Sequence, residues 1–335
     1  MSTKDFKFQI TRHIEELSKK TPEIYKQFYP SEAEEINPPC MFEDPLIEEK
    51  YTVTKGLIHK YGNRALCMLT LVCGAYCRFC TRKRKVSDAS EGLLSDEDLE
   101  KIESYIVSHP EIKEIIFSGG DPFTNPAVLK KALRKFGALP QIRVMRIGTR
   151  MPIVSPQTFD LSVCDVIREL KQPIYIGLHF EHPDEITEEV EHICQTFRKS
   201  GAILFSQSVF LKGINDDYDT LYELFSRLIE IGVKPYYIFR CDPVGGAYHF
   251  MADFEKEIDI MTRLRSSLSG MAYPMYIIDV PQGAGKIPVP LNYWDFDKAH
   301  YKDFNGIDQH IVKGIEMNDF ELVPARKPIK RKISR

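Results

Sequence analysis

Three cysteines, Cys73, Cys77 and Cys80, fall within eight residues of one another. Thiolates at this spacing can wrap one side of an iron–sulfur cluster, and three ligands leave one metal position open to an outside group. The same thiols would also serve a zinc site with a distant fourth ligand, such as Cys67 or a histidine, and spacing alone leaves both readings open. The remaining cysteines, Cys40, Cys67, Cys164, Cys194 and Cys241, are scattered singly. Cys67 lies inside an apolar run and reads as a small buried hydrophobe. Eight cysteines in 335 residues are too sparse for a disulfide scaffold, and the start MSTKDFKFQI has no apolar signal-like core. The expected setting is therefore a reducing, cytoplasmic one.

Apolar, β-branched runs at 66–72, 114–118, 143–148, 174–179, 203–209, 236–240 and 275–279 must position these thiols. Most start about 30 residues apart, the length of a strand–helix unit. Between them lie amphipathic segments such as SDEDLEKIESYIVSH, in which Ser95 and Asp98 have the spacing of a helix capping box. Continuous apolar strands alternating with helices specify a parallel sheet covered by helices. Six clear strands and a seventh candidate fall short of a closed eight-fold barrel, so the expected fold is α/β, a partial (βα)6-type TIM barrel. Residues 1–60 read as an N-terminal helical cap and connector, 61–290 as the barrel, and 291–335 as a C-terminal extension ending in the basic tail PARKPIKRKISR.

The composition, 43% hydrophobic and 28% charged, is that of a globular protein, and the net charge of −3 opposes a broad nucleic-acid surface. The longest uncharged apolar stretch, 65–77, is too short to span a bilayer. Chemistry in parallel α/β folds gathers at the carboxyl ends of the strands. Here those ends carry the cysteines, then Ser118-Gly119-Gly120-Asp121, then Arg146 to Arg150, His179, Gln207, Asp242, and Asp279 followed by the turn GAGK with Lys286. The GAGK turn is not a phosphate-binding P-loop, because the GxxxxGK[ST] frame is absent.

The CxxxCxxC spacing, followed one strand later by SGGD, resembles the radical S-adenosylmethionine enzymes. YGNR, CTRKRK, RIGTRMP, LHFEHPDEITEE, QSVFLKGIND, PYYIFRCD and IIDVPQGAGKIPV, in that order, are similar to the lysine 2,3-aminomutase family of those enzymes. The resemblance covers roughly two-thirds of the chain, from about Lys60 to Pro290.

That resemblance implies three cofactors. Cys73, Cys77 and Cys80 would hold a [4Fe–4S] cluster. Ser118, Gly119, Gly120, Asp121, Arg146 and Gln207 would line the S-adenosylmethionine site, with His179 nearby. Lys286 would carry pyridoxal 5′-phosphate as a Schiff base, and Arg64, Tyr61 and Lys60 would contact its phosphate. Lys60 stands where relatives often have arginine, and a lysine holds phosphate without the bidentate fork. Arg82 would take the substrate α-carboxylate, and Asp242 and Asp279 a distal ammonium. The implied reaction is the migration of an amino group from C2 to C3, most readily in L-lysine, with arginine or ornithine as alternatives. A radical enzyme without pyridoxal phosphate is the remaining alternative. The implied partners are a small amino acid and a reductant such as flavodoxin or ferredoxin, with a homo-oligomer possible and neither membrane nor nucleic acid involved. Longer family members bind a structural zinc through C-terminal cysteines. This chain has no cysteine after Cys241, so that site does not carry over.

Overall fold

The computed structural model describes residues 6–86, 92–295, 300–303 and 307–310. The chain divides into two compact units, Met1–Leu291 and Asn292–Arg335. The second contains a small antiparallel sheet of three strands, Trp294–Asp295, His300–Lys302 and Asp308–His310. The basic tail expected at 324–335 lies outside the described residues.

The first unit is built on one open sheet. Strands β3 (Arg64–Thr70), β4 (Glu114–Gly119), β5 (Val144–Thr149), β6 (Ile174–His179), β7 (Ile203–Val209), β8 (Lys234–Phe239) and β9 (Met275–Val280) are parallel and lie side by side in chain order. The seventh candidate run is therefore a strand. A hairpin of β1 (Thr52–Thr54) and β2 (Leu57–Tyr61) adds antiparallel strands at one edge, and β10 (Gly285–Pro288) adds one at the other. The two edges do not pair among the described residues, so the barrel stays open. Residue 60 falls inside β2, so the N-terminal segment shares the sheet with the barrel.

The helices Asp96–Ser108, Pro126–Gly137, Glu188–Lys199, Tyr218–Glu230 and Phe254–Ser267 alternate with the strands. The expected capping box forms, with Ser95 Oγ accepting from Asp98 N at 3.2 Å and Asp98 accepting from Ser95 N at 3.0 Å. Each strand sends alternate side chains to opposite faces. Cys67, Leu69, Ile115, Phe117, Met145, Ile147, Ile176, Leu178, Leu204 and Ile238 pack with the helices in the main core. Cys67 is fully buried there, and burial pushes its thiol up to about 12. The alternating residues Ile116, Ser118, Arg146, Gln207, Tyr237 and Phe239 face the concave side and are only partly covered. No helix among the described residues is long and apolar enough to cross a membrane.

Two short N-terminal helices, Arg12–Ser18 and Pro22–Phe28, close over the cysteine loop. Ile14, Ile24 and Phe28 form a small core with Ala75 and Val154, and Cys77 packs against it. At the root of that loop, Gly119 has a φ of 120°, and a Cβ on it would strike the Thr70 carbonyl. A Cβ on Gly120 would strike the Val72 carbonyl. The glycines thus let β4 close against the start of the cysteine loop, a packing demand that exists before any ligand is considered. Gly119→Ala should cost at least about 1–3 kcal/mol from backbone strain alone. Urea unfolding tests this, and wild-type stability in the variant would contradict the assignment.

Candidate functional site

At the cysteine end of the sheet, Asp121 is the anchor. Its buried carboxylate accepts from Phe123 N at 3.0 Å, Arg150 N at 2.6 Å and Met151 N at 3.0 Å, and from Thr149 Oγ1 at 2.8 and 2.9 Å. These donors occupy the Asp121 side chain, so what the SGGD segment can offer a cofactor is mainly its backbone and Ser118. The same bonds fix the start of the loop after β5 and aim Arg150 at the cysteines. Arg150 Nη1 donates to Cys77 Sγ at 2.8 Å, and its Nη2 binds Gln27 and, at 2.9 Å, Glu185.

Burial raises the Cys73 and Cys77 thiols, and it pushes Cys80 up to about 11. The three thiols lie close enough to affect one another's charge, with Arg82, Lys83 and Arg150 nearby. A half-buried thiol trio flanked by cations fits a metal cluster, which supplies the positive charge needed to ionise all three sulfurs. His179 and Gln207 are register neighbours on β6 and β7. Burial, together with the charges of Arg150 and Arg82, lowers His179 to about 4, leaving it neutral at physiological pH.

Arg82 is gripped by the connector before β1. Its Nε and Nη2 meet the Glu48 carboxylate at 3.0 and 2.6 Å, while Nη1 donates to Ser118 Oγ at 3.2 Å. Burial opposes the charge on Glu48, but Arg82, helped by Lys85 and Arg84, holds its carboxyl below the usual range. Arg84 bonds to Asp44 at 2.5 Å and Glu49 at 2.6 Å, and Lys85 lies 3.1 Å from Glu49. Arg82, Arg84 and Lys85 therefore face an acidic strap, while Lys83 donates to the Arg78 carbonyl at 2.7 Å.

The other pole lies on β8–β10. The β9–β10 hairpin places Lys286 opposite Asp279 in register, and the Lys286 ammonium is ion-paired with the Asp279 carboxylate. Lys286 Nζ also sits 5.0 Å from the Phe239 ring centroid. Asp242, just beyond β8, has no hydrogen-bond or ion-pair partner for its side chain among the described residues. Burial and the nearby Asp279 charge push its carboxyl up to about 7, against the pull of Lys286. Gln282 and Gly283 in the hairpin turn have φ values of 61° and 73°, and a Cβ on Gly283 would come within 3.3 Å of Lys60 Nζ. Arg64 stacks 4.0 Å from the Tyr61 ring centroid. Neither Lys60 nor Arg64 has a carboxylate partner among the described residues. Two cations that share the Tyr61 ring, one of them beside the Lys286 turn and neither paired with a carboxylate among the described residues, fit a phosphate.

Arg146 lies mid-strand on the concave face and is ion-paired with Glu114. Its charge and that of Lys286 both act to lower the Tyr237 hydroxyl, against the burial that raises it. Arg150, four residues later in the same RIGTR run, is the arginine that reaches the cysteines. The sequence reading overlooked it, along with Glu48 and Glu185. The strand-end position of Arg150 was a visible signal, whereas Glu48 and Glu185 are far in sequence from their partners.

The open sheet with three cysteines after its first parallel strand defines a radical S-adenosylmethionine protein, and residues 68–225 match the radical SAM superfamily model. A radical SAM methyltransferase from Sphaerobacter thermophilus shares the fold, with a TM-score of 0.50 and 14% identity over 66% of this chain and 68% of that one. L-lysine 2,3-aminomutase from Clostridium subterminale is 35% identical over 85% of this chain and 69% of its own length. A putative L-lysine 2,3-aminomutase from Aquifex aeolicus is 39% identical over 77% and 70%. Glutamate 2,3-aminomutase from Clostridioides difficile is 34% identical over 86% and 67%. The chain belongs to the lysine 2,3-aminomutase family, a family of isomerases whose superfamily chemistry requires a [4Fe–4S] cluster and S-adenosylmethionine.

The Asp242 titration has a definite sign. Its carboxyl is held above the usual carboxylate range, so it ionises only as pH rises through about 7. Affinity for a cationic ligand should therefore increase across that window and level off above it, whereas a neutral isostere should show no such rise. Equilibrium binding of lysine and norleucine between about pH 6 and pH 8.5 measures this. Equal pH profiles for the two would contradict the assignment.

Proposed function

We propose that this chain is a pyridoxal phosphate-dependent radical S-adenosylmethionine 2,3-aminomutase acting on an amino acid with a cationic side chain, L-lysine first. The observation that carries the reading is the pole at Asp242 and Asp279, where a lysine-type ammonium, that of Lys286, already rests on one carboxylate while the other has no side-chain partner among the described residues. The family also contains an enzyme named for glutamate, so membership alone does not choose the side chain. Two carboxylates would repel an anionic side chain, which favours ammonium or guanidinium.

The residues divide the work by charge. Lys286 supplies the amine that carries pyridoxal phosphate, and for this its nitrogen must leave Asp279 and lose a proton. Lys60, Tyr61 and Arg64 hold the phosphate. Arg82, oriented by Glu48, offers its Nη1 edge to the substrate α-carboxylate beside Ser118. Asp242 and Asp279 take the distal cation that replaces Lys286. The backbone of Gly119, Gly120 and Asp121, with Ser118, Gln207 and His179, lines the concave face for S-adenosylmethionine above Cys73, Cys77 and Cys80. When bound, the cluster and S-adenosylmethionine supply a deoxyadenosyl radical and pyridoxal phosphate supplies the imine through which nitrogen moves. The protein positions the substrate between two charged ends and limits water there. An external one-electron donor of the flavodoxin or ferredoxin class is required.

Anaerobic incubation of the reconstituted protein with S-adenosylmethionine, pyridoxal phosphate, dithionite and separate L-lysine, L-arginine, L-ornithine or L-glutamate tests the reading by product analysis. The expected result is a β-amino acid from lysine, formed faster than from the others. Faster conversion of glutamate would overturn the proposed side-chain class. Lys286→Ala should abolish product while leaving iron and sulfide content intact, and residual rearrangement at a substantial rate would refute its role.

A further inference from the structure

Arg150 stands out on the cysteine side because several elements are organised around it. The residue is buried, and its guanidinium donates through Nη1 to Cys77 Sγ at 2.8 Å. The backbone N is fixed by Asp121 at 2.6 Å, and Nη2 is held by Glu185 at 2.9 Å and by Gln27 of the N-terminal helices. Its carbon Cζ lies 4.8 Å from the Phe28 ring centroid and 5.7 Å from that of Phe79. Glu185 is itself occupied by donation from Glu181 N at 2.8 Å. A cation anchored on so many sides cannot swing away from the sulfur.

We infer that Arg150 is a positioning residue that sets the reduction potential of the cluster through a charged hydrogen bond to the Cys77 sulfur. The inference rests on the assignment of a cluster to Cys73, Cys77 and Cys80. The redox step is one electron from an external low-potential donor into the oxidised cluster, with no bond made or broken at the protein. The reduced cluster carries one more negative charge. A buried donor and positive charge at a ligating sulfur stabilise that form more than the oxidised one, because hydrogen bonds to sulfur and solvent exclusion are the protein's main controls on such clusters. Arg150 should therefore raise the potential and make the cluster easier to reduce. Gln27 extends this control to the N-terminal helices, which both exclude solvent and hold the guanidinium.

The test is an anaerobic potentiometric titration of the reconstituted wild type, Arg150→Lys, Arg150→Gln and the double variant Arg150→Gln/Glu185→Gln. The double variant avoids leaving an unpaired carboxylate beside the lost cation. The reduced cluster is read by electron paramagnetic resonance, and iron and sulfide are counted in each sample. Relative to wild type, Arg150→Gln should require a potential lower by a tenfold change in the oxidised-to-reduced ratio or more, about 59 mV for one electron, and the double variant, which also loses the Glu185 charge, should shift in the same direction by less. Arg150→Lys, which keeps the charge but loses the fork, should fall between wild type and Arg150→Gln. Gln27→Leu keeps Arg150 itself and should shift the potential in the same direction by less, which decides the matter if the Arg150 variants fail to assemble a cluster. Fully loaded variants with unchanged potentials, or an unchanged Gln27→Leu protein where the others do not load, would overturn the inference. A wild type that takes up metal without sulfide would instead overturn the cluster assignment beneath it.

Discussion

The cost of burying charge on the concave face of an open sheet governs this molecule. An ion taken out of water must be matched by opposite charge or by converging hydrogen bonds. Most of the buried ions here are matched: Arg78 by Glu34, Arg82 by Glu48, Arg150 by Glu185, and Asp121 by donors from two loops. Each pair joins segments far apart in sequence, so the matching also determines how the N-terminal helices, the connector and the strand ends assemble. Asp242 departs from the pattern, with a half-buried carboxylate that no cation among the described residues holds directly. Its neighbour Asp279 is paired with Lys286.

That departure gives the concave face a direction. The Arg82 end, with its Glu48 clamp and its reach to Ser118, can accept an anion. The Asp242 and Asp279 end can accept a cation. Lys286 and Lys60 lie at the hairpin edge, and Arg64 shares the Tyr61 ring with Lys60. An α-amino acid with a charged tail has the matching sequence of groups. Complementarity of this kind contributes specificity chiefly by penalising the wrong charge.

Much of this arrangement was readable before the coordinates. Continuous apolar runs and the recurring strand–helix interval specified an open parallel sheet, and the Ser95 cap formed where its spacing required. Strand ends pointed to the cysteines, Asp242, Asp279 and Lys286 because a parallel sheet collects its carboxyl ends along one rim. What escaped were partners chosen by tertiary packing. Glu48 sits 34 positions from Arg82 and Gln27 sits 123 from Arg150, and no local pattern marks either pairing. The two glycines after Ser118 were legible as a close-approach signal, but the nearest object proved to be the root of the cysteine loop. Asp121 likewise looked like a ligand-facing acid and is instead the knot that aims Arg150.

The most direct test of the central claim is a double-mutant comparison of binding by lysine and by norleucine, which has the same chain length but lacks the distal ammonium. Dissociation constants would be measured at about pH 8, where Asp242 is ionised, for wild type, Asp242→Asn, Asp279→Asn and the double variant. The wild type should prefer lysine by at least about 30-fold, in line with the roughly 2–5 kcal/mol carried by a close, desolvated charge pair, and the double variant should lose that preference. Wild-type protein that binds the two ligands equally, or a double variant that still discriminates between them, would contradict the account.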